Sequence, residues 1–247
     1  MKLFSTLVLI FLSLNVNAQS NFHTLESKDG EIKVYPIYHG SVVLEIGGKK
    51  IFVDPYGGAD RYSEFGKADY ILITDIHGDH LNMKTLEKLD LSKAKLFGPQ
   101  AVIDQLKGFK KDQMIRLNNG SQVSLGEIEI KAIPMYNLPD DSSSRHPKGR
   151  GNGYVISFGG KSIYISGDTE DIPEMRSLTE IDLALICMNL PYTMDIYQAS
   201  DAVLEFEPKQ VIPYHYRGKE MSDTTEFKTL VEDKNPSIEV VLFDCYN

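Results

Sequence analysis

The chain has 247 residues and carries 26 Lys and Arg against 35 Asp and Glu, which gives a formal net charge of -9. This acidic balance argues against a protein that binds nucleic acid through a broad basic face, and it favours a small-molecule substrate. The length is sufficient for one large domain with a substantial core, and no linker-like segment divides it.

Residues 1–18 are predicted to be an export signal. Lys2 supplies a positive start, residues 3–14 are almost all apolar, and Ala18 ends a small-residue cleavage site. We expect cleavage after Ala18, which places a single mature domain over residues 19–247 in the periplasm or outside the cell. A retained N-terminal anchor is the alternative. No segment approaches the ~20 apolar residues of a membrane span, so stable membrane insertion is not expected.

One pattern occurs twice along the chain, at residues 41–54 and 153–166, which align without a gap. Each copy alternates apolar residues, as a half-buried strand does, and then reaches a pair of glycines, at 47–48 and at 159–160. Paired glycines supply the positive φ angles of a two-residue hairpin turn. Both copies run into a loop that carries a carboxylate, which a duplicated scaffold would produce. A chance match of common hairpin patterns is the alternative.

Four potential metal ligands directly follow the strand-like run of residues 70–73: Asp75, His77, Asp79 and His80. Alternate residues of a strand point to the same side, so the first three can converge on one pocket. Gly78 lets the backbone turn and bring the fourth beside them. Imidazole nitrogen mixed with carboxylate oxygen suits zinc, manganese or iron. A polar surface turn is the alternative interpretation.

Strand-like and helical patterns alternate along the rest of the chain, which indicates a layered α/β protein. Helices are predicted over residues 82–89, 99–106 and 196–206, a hairpin over 120–131, and strands over 182–187, 210–214 and 238–243. Residues 136–152 show no apolar periodicity and are predicted to form a long loop, which in a compact domain is usually functional or disordered.

The two cysteines, Cys187 and Cys245, lie in apolar strand-like segments and fit neither a zinc spacing nor a redox pair. Export would permit a disulfide between them. Two buried thiols are the favoured state.

Two later strand-like runs also end at a candidate ligand. Residues 162–166 lead into Asp168, and residues 210–214 lead into His215. The ordered set of His-x-Asp-His, Ser-Gly-Asp-Thr and Pro-Tyr-His, each after a strand, resembles the metallo-β-lactamase superfamily. The similarity is greatest to its UlaG-like branch of small metal-dependent hydrolases and covers residues 32–243.

This resemblance implies a four-layer αββα sandwich of two pseudo-symmetric halves, with one or two metal ions at one edge of the sheets. Carried over by motif, Asp79, His80 and His215 match the second metal site and His77 matches the first. Asp168 matches the carboxylate that bridges the two sites.

The chain departs from the family pattern at Asp75 and Asn137, where the family usually or often has histidine. With two nitrogen donors lost, the first site is expected to be weaker, or to shift in preference from zinc toward manganese. We expect one or two zinc ions, with manganese as the alternative. His146, in a glycine-rich part of the long loop, is predicted either to replace the missing nitrogen or to hold substrate above the metal, with Asn137 behind it.

Further side chains are expected around the metals. Asp54 would hold the ligand loop from behind. His39 is either a hydrogen-bond donor near the metals or a satisfied core histidine. Tyr214 or Tyr216 could donate a hydrogen bond to substrate.

Four basic residues are predicted to form a rim on this acidic protein: Arg145, Lys148, Arg150 and Arg217. Such a rim could bind a carboxylate or phosphate group of the substrate. A solvated loop is the equally weighted alternative.

We therefore predict an exported metal-dependent hydrolase in which a metal-bound water attacks an ester-like, lactone, amide or phosphodiester bond. Asp79 would orient that water, with Asp168 and His215 as its catalytic partners. The missing histidines make antibiotic hydrolysis a poor fit. The alternative function is a degenerate, non-catalytic scaffold that binds a ligand or partner. The oligomeric state is left open.

Overall fold

The computed structural model describes residues 21–246, so the predicted export signal lies outside the described residues. Within that range the first sheet has seven strands, which are neighbours in chain order: β1 His23–Ser27, β2 Gly30–Tyr38, β3 Ser41–Ile46, β4 Lys49–Val53, β5 Tyr70–Leu72, β6 Lys95–Gly98 and β7 Met114–Arg116. Strands β1 to β4 pair antiparallel, and β4 to β7 pair parallel.

The second sheet repeats this scheme strand for strand. Its seven strands are again neighbours in chain order: β8 Gln122–Leu125, β9 Ile128–Met135, β10 Gly151–Phe158, β11 Lys161–Ile165, β12 Leu183–Cys187, β13 Gln210–Tyr214 and β14 Glu239–Val240. Strands β8 to β11 pair antiparallel, and β11 to β14 pair parallel. The prediction of two pseudo-symmetric halves is confirmed.

The repeated sequence pattern forms equivalent hairpins, β3–β4 and β10–β11. The turn glycines all have positive φ: 57° at Gly47, 70° at Gly48, 56° at Gly159 and 78° at Gly160. Residues with a side chain rarely adopt this backbone conformation twice in succession, so the glycine pairs determine the turn type and the register of both hairpins.

The two hairpins are also anchored in the same way. In the first half, the Asp69 carboxylate accepts hydrogen bonds of 3.1 and 3.0 Å from the Lys49 side chain and from the next backbone N–H. In the second half, the Asp182 carboxylate accepts hydrogen bonds of 3.0 Å from the Lys161 side chain and from the next backbone N–H. Each carboxylate therefore joins a hairpin to the start of the adjacent parallel strand.

Short helices cover the sheets. They are a 3-10 helix Ala59–Phe65 and the α-helices α1 Met83–Leu86, α2 Gln100–Ile103, α3 Pro173–Arg176, α4 Ile196–Phe206 and α5 Thr224–Glu232. Buried apolar side chains of both sheets and of α3 to α5 form one core, and the first sheet packs against the 3-10 helix, α1 and α2 in a second. This is the predicted αββα sandwich. None of the helices within residues 21–246 is long and apolar enough to cross a membrane.

Several predicted elements are shorter in the structure. Asn82 caps α1 as expected, but the α-helix ends at Leu86, and the chain continues to Leu89 through i to i+3 hydrogen bonds. The helix α2 likewise covers only residues 100–103 of the predicted 99–106. The predicted range of α4 is confirmed.

The end of the chain leaves the second sheet early. Strand β14 covers two residues of the predicted 238–243, because the chain then crosses to the first half, where the His39 N–H donates to the Cys245 carbonyl at 2.8 Å. The cysteines Cys187 and Cys245 are both buried free thiols, as favoured from the sequence. The predicted loop ends at residue 150, and β10 begins at Gly151.

Candidate metal centre

The candidate ligands lie where strand ends of the two sheets meet. Strand β5 leads into residues 75–80, β11 leads into Asp168, and β13 leads into His215. Backbone hydrogen bonds connect the sheets at this edge: the Asn152 N–H donates to the Thr74 carbonyl at 2.9 Å, and the His215 N–H donates to the His39 carbonyl at 3.1 Å. Both halves therefore contribute to one site.

The first group of ligands is centred on two facing imidazoles. His80 Nε2 lies 3.3 Å from His215 Nε2 and 3.2 Å from Asp168 Oδ2. His215 Nε2 lies 3.3 Å from Asp168 Oδ1 and 3.5 Å from Asp79 Oδ2. Two ring nitrogens that face each other require a proton or a cation between them. We call this group the His80 cluster; it contains Asp79, His80, Asp168 and His215.

The other ring nitrogen of His80, Nδ1, is hydrogen-bonded to a buried carboxylate. Asp54 Oδ2 lies 2.8 Å from His80 Nδ1, and the same carboxylate accepts from the Thr74 N–H at 2.8 Å and from the Thr74 hydroxyl. A histidine that donates from Nδ1 presents the Nε2 lone pair to a metal. The structure thus places Asp54 in contact with both His80 and the backbone at Thr74 in the ligand loop.

Asn189 occupies the equivalent position behind His215, with Asn189 Nδ2 at 2.7 Å from His215 Nδ1. A ring that binds metal through Nε2 carries its proton on Nδ1, so a loaded site would require the amide oxygen at this position, with the carboxamide rotated by half a turn. In the present orientation Asn189 Oδ1 is buried without a hydrogen-bond partner among residues 21–246. Gly40 makes room for the ring, because a Cβ at residue 40 would lie 2.6 Å from His215 Cδ2.

A second group, which we call the His146 cluster, contains Asp75, His77 and His146 beside the shared Asp168. His146 Nε2 lies 3.3 Å from Asp168 Oδ2, and His77 Nδ1 lies 2.7 Å from Asp75 Oδ2. Asn137 Oδ1 accepts from the backbone N–H of His146 at 2.9 Å and lies 2.9 Å from its ring Nδ1. The long loop therefore places the His146 imidazole between Asn137 and Asp168.

Asp75 already has a cationic partner. Arg150 Nε and Nη2 donate to the two oxygens of Asp75 at 3.1 and 3.0 Å, and the Asp75 side chain is fully buried. Burial alone would raise the pKa of this carboxyl group, but the hydrogen bond from His77 and the charges of His80 and Arg150 lower it to about 2. The sequence predicts Arg150 either in contact with substrate or behind the metal ligands, and the structure pairs it with the candidate ligand Asp75.

Two buried polar atoms at this centre, His146 Nε2 and Asp168 Oδ1, lack a well-oriented hydrogen-bond partner among residues 21–246. Buried polar atoms are normally paired, and leaving one unpaired costs about 1–3 kcal/mol. A divalent cation would satisfy the nitrogen and carboxylate lone pairs together. The donor atoms of the His80 cluster and of the His146 cluster, which share Asp168, therefore fit a metal site.

The ionisation of the buried ligands agrees with this fit. Burial by itself would raise the pKa of Asp168, but the neighbouring His215 and His80 hold it well below its ordinary value. Burial by itself would lower the pKa of His80, but Asp168 and Asp54 raise it well above its ordinary value. The carboxylate therefore stays ionised and, without a metal, the imidazole holds a proton that an ion would displace.

The sequence and fold comparisons agree with the geometry. The sequence model of the Beta-lactamase superfamily domain matches residues 33–215. The chain belongs to the metallo-β-lactamase superfamily. A UPF0173 metal-dependent hydrolase of Pyrococcus furiosus is 31% identical over 217 residues, covering 82% of this chain and 93% of that protein. A UPF0173 metal-dependent hydrolase of Archaeoglobus fulgidus is 29% identical over 223 residues, with coverages of 85% and 95%.

Solved structures place this superfamily member among metal-dependent hydrolases. A candidate metal-dependent hydrolase of Parabacteroides distasonis has a TM-score of 0.80 and 36% identity, with 92% of this chain and 99% of that chain covered. The metallo hydrolase Igni18 of Ignicoccus hospitalis has a TM-score of 0.74 and 28% identity, with coverages of 87% and 96%. The diiron β-hydroxylase CmlA of Streptomyces venezuelae, at 20% identity and a TM-score of 0.63, shares the fold.

The remaining predicted residues of this superfamily member surround the centre in different roles. His39 lines a cavity beside Asp79 and Asp168, with Nε2 at 3.2 Å from Asp79 Oδ2 and Nδ1 at 2.8 Å from the Tyr246 hydroxyl. Burial, the largest effect, lowers the pKa of His39. The Tyr214 hydroxyl accepts from the Gly167 N–H at 2.9 Å and supports the loop that carries Asp168.

Tyr216 turns away from the centre, since its hydroxyl donates to the Phe243 carbonyl at 3.1 Å. The residues that the sequence did not single out are Thr74, Asn189 and Tyr246. Asn189 follows the end of β12, so the strand-end pattern that identified Asp168 was a usable signal for it.

Proposed function

We propose that this hydrolase cleaves an ester-like, lactone, amide or phosphodiester bond of a small molecule with one or two divalent ions, zinc before manganese. The observation that carries the proposal is the convergence of two imidazoles and two carboxylates in the His80 cluster. When bound, the ion would supply Lewis acidity that activates water and polarises the scissile group.

Within the His80 cluster, Asp79 is suited to orienting the attacking water. Asp79 is the most exposed of its carboxylates, with 32% of the side chain accessible, and it faces the cavity. Burial would raise the pKa of Asp79, but hydrogen bonds from His215 and His39 hold it well below its ordinary value. Asp79 therefore stays ionised and accepts a hydrogen bond from water, which orients that water for attack.

The two groups of ligands are expected to differ in affinity. In the His80 cluster, His80, Asp168 and His215 offer two nitrogens and a carboxylate, which would hold a zinc ion and leave a fourth position for water beside Asp79. In the His146 cluster, Arg150 already occupies both oxygens of Asp75. We therefore propose that the His80 cluster is filled first and that the His146 cluster holds a weaker second ion.

We also propose that the protein acts outside the cytoplasm. The support is the pattern of residues 1–18, in which a positive start, an apolar stretch and Ala18 follow one another.

The test combines metal analysis with a substrate panel. After dialysis, elemental analysis should give one to two ions per chain, and His80→Ala and His215→Ala should lose most of the metal. The zinc-loaded protein should hydrolyse a member of a panel of lactones, aryl esters, anilides and bis(4-nitrophenyl) phosphate, and Asp79→Asn should lower kcat by about 100-fold. Wild-type metal content in both histidine variants would contradict the ligand assignment.

A further inference from the structure

Two guanidinium groups lie at the cavity above the candidate metal centre. Arg145 and Arg217 line a space of about 260 Å³ whose wall also contains Asp79 and Asp168. They come from different segments: Arg145 from the long loop, and Arg217 from the residues after β13. Both therefore approach the same small space beside the metal ligands.

Each of the two guanidinium groups stacks on an aromatic ring. The Cζ atom of Arg145 lies 4.2 Å from the ring centroid of Tyr192, and that of Arg217 lies 4.3 Å from the ring centroid of Tyr246. Stacking occupies the face of a guanidinium and leaves its N–H donors free at the edge. One donor of Arg217 contacts the Tyr38 hydroxyl at 3.3 Å. The two side chains are thus held in place with donors to spare.

Two other basic residues of the predicted rim form ion pairs with carboxylates. Lys148 pairs with Glu174 at 2.9 Å, and Arg150 pairs with Asp75 at 3.0 Å. Within residues 21–246, Arg145 and Arg217 form no ion pair with a carboxylate. Of the four residues of the predicted basic rim, Arg145 and Arg217 are therefore the two that line the cavity and are available to bind an anion.

We propose that Arg145 and Arg217 bind an oxyanion group of the substrate, a carboxylate or a phosphate, and so hold its scissile bond at the metal centre. This inference rests on the proposed hydrolase function. Guanidinium edges match both groups through paired N–H donors. The space of about 260 Å³ is sufficient for the anionic group and the scissile bond of a small molecule.

The first experiment compares substrates that differ in one anionic group. The zinc-loaded protein is assayed on γ-butyrolactone against its γ-carboxy derivative, and on 4-nitrophenyl acetate against 4-nitrophenyl hemiglutarate. We expect wild type to favour the anionic member by at least tenfold in kcat/KM. The double variant Arg145→Gln, Arg217→Gln should lower this ratio at least tenfold, mainly through KM. Arg116→Gln removes the same charge from an exposed position outside the cavity and should keep the ratio.

The second experiment measures binding without turnover. Calorimetric titration of the zinc-loaded protein with succinate and with inorganic phosphate should show at least tenfold weaker binding to the double variant, with metal content unchanged. The tighter of the two probes identifies the anionic group.

The outcomes separate the two proposals. Equal rates on neutral and anionic members, with unchanged anion binding in the variants, would overturn the role of the arginines and leave the hydrolase assignment intact. If no substrate of either pair is cleaved, the lactone and ester assignments are wrong, and the calorimetry alone decides whether the arginines bind anions.

Discussion

The carboxamide oxygen of Asn137 contacts His146 twice, accepting from its backbone N–H and lying within hydrogen-bond distance of its ring Nδ1, both at 2.9 Å. The amide nitrogen of Asn137 donates to Glu170 Oε1 at 3.0 Å and to the Tyr192 carbonyl at 2.9 Å. The amide is therefore fixed with its oxygen toward the imidazole, which leaves His146 Nε2 free to face Asp168.

Asn137→Ala is expected to weaken the second ion rather than the first. Losing the partner of a ligating imidazole typically lowers metal affinity 10-fold to 100-fold. Chelator competition should therefore show one ion released more easily, while the ion of the His80 cluster keeps its affinity. Asn118→Ala, which removes an exposed amide that contacts the Gln100 backbone and no candidate ligand, is the control. Unchanged affinity for both ions in Asn137→Ala and in His146→Ala would mean that the loop does not bind metal.

Arg150→Ala should destabilise the metal-free protein by about 3–5 kcal/mol, because it leaves the buried Asp75 carboxylate without its cation. Urea denaturation of chelator-treated protein measures this loss. Zinc should restore more stability to the variant than to wild type, since an ion can neutralise the unpaired carboxylate. Arg116→Ala, at an exposed position, should show neither effect. A variant as stable as wild type without metal would show that the pair contributes nothing.

Asp182→Asn should lose stability in a pH-dependent way. Burial by itself would raise the pKa of Asp182, but hydrogen bonds from Lys209, the Ser162 N–H and Lys161 lower it. A carboxyl group with a lower pKa in the folded state stabilises the fold above its unfolded pKa of about 3.9 and loses that contribution as the pH falls through the folded value.

The expected difference in unfolding free energy between wild type and Asp182→Asn is therefore about 1–2 kcal/mol at pH 7, and it shrinks as the pH falls below about 3.9 and through the lower folded pKa. Urea titrations between pH 7 and pH 2 measure it. The exposed Asp112→Asn variant serves as the control. A difference that grows as the pH falls would contradict the expected direction.

N-terminal sequencing of the protein recovered from outside the cytoplasm should begin at Gln19, because cleavage is expected after Ala18. Replacing the apolar Leu9 with Arg should retain the precursor in the cytoplasm with Met1 in place. Cytoplasmic wild-type protein that starts at Met1 would refute export.

Features that depend on neighbouring residues could be predicted from the sequence. The glycine pairs specify both hairpins through local φ preferences, and His80 follows its strand by a spacing visible in the chain. The pair of Asp75 and Arg150 could not be predicted, because the two residues are 75 positions apart and the loop between strands has no periodicity to orient it. Helix α1 was overestimated, since an amphipathic pattern does not distinguish an α-helix from successive 3-10 turns.

The division of ligands between the two sheets has a consequence for motion. Asp79 and His80 belong to the first half, whereas His146, Asp168 and His215 belong to the second. An ion bound between them would connect the two halves. Separating the halves would then break metal–ligand bonds, while the hydrogen bonds within each sheet would stay intact. Hydrogen exchange should therefore show the protection of the Asn152 amide, which bonds across the seam, falling on chelation while the amides inside β3 and β11 keep theirs. A bound ion would therefore also determine how often the two halves of this protein separate locally.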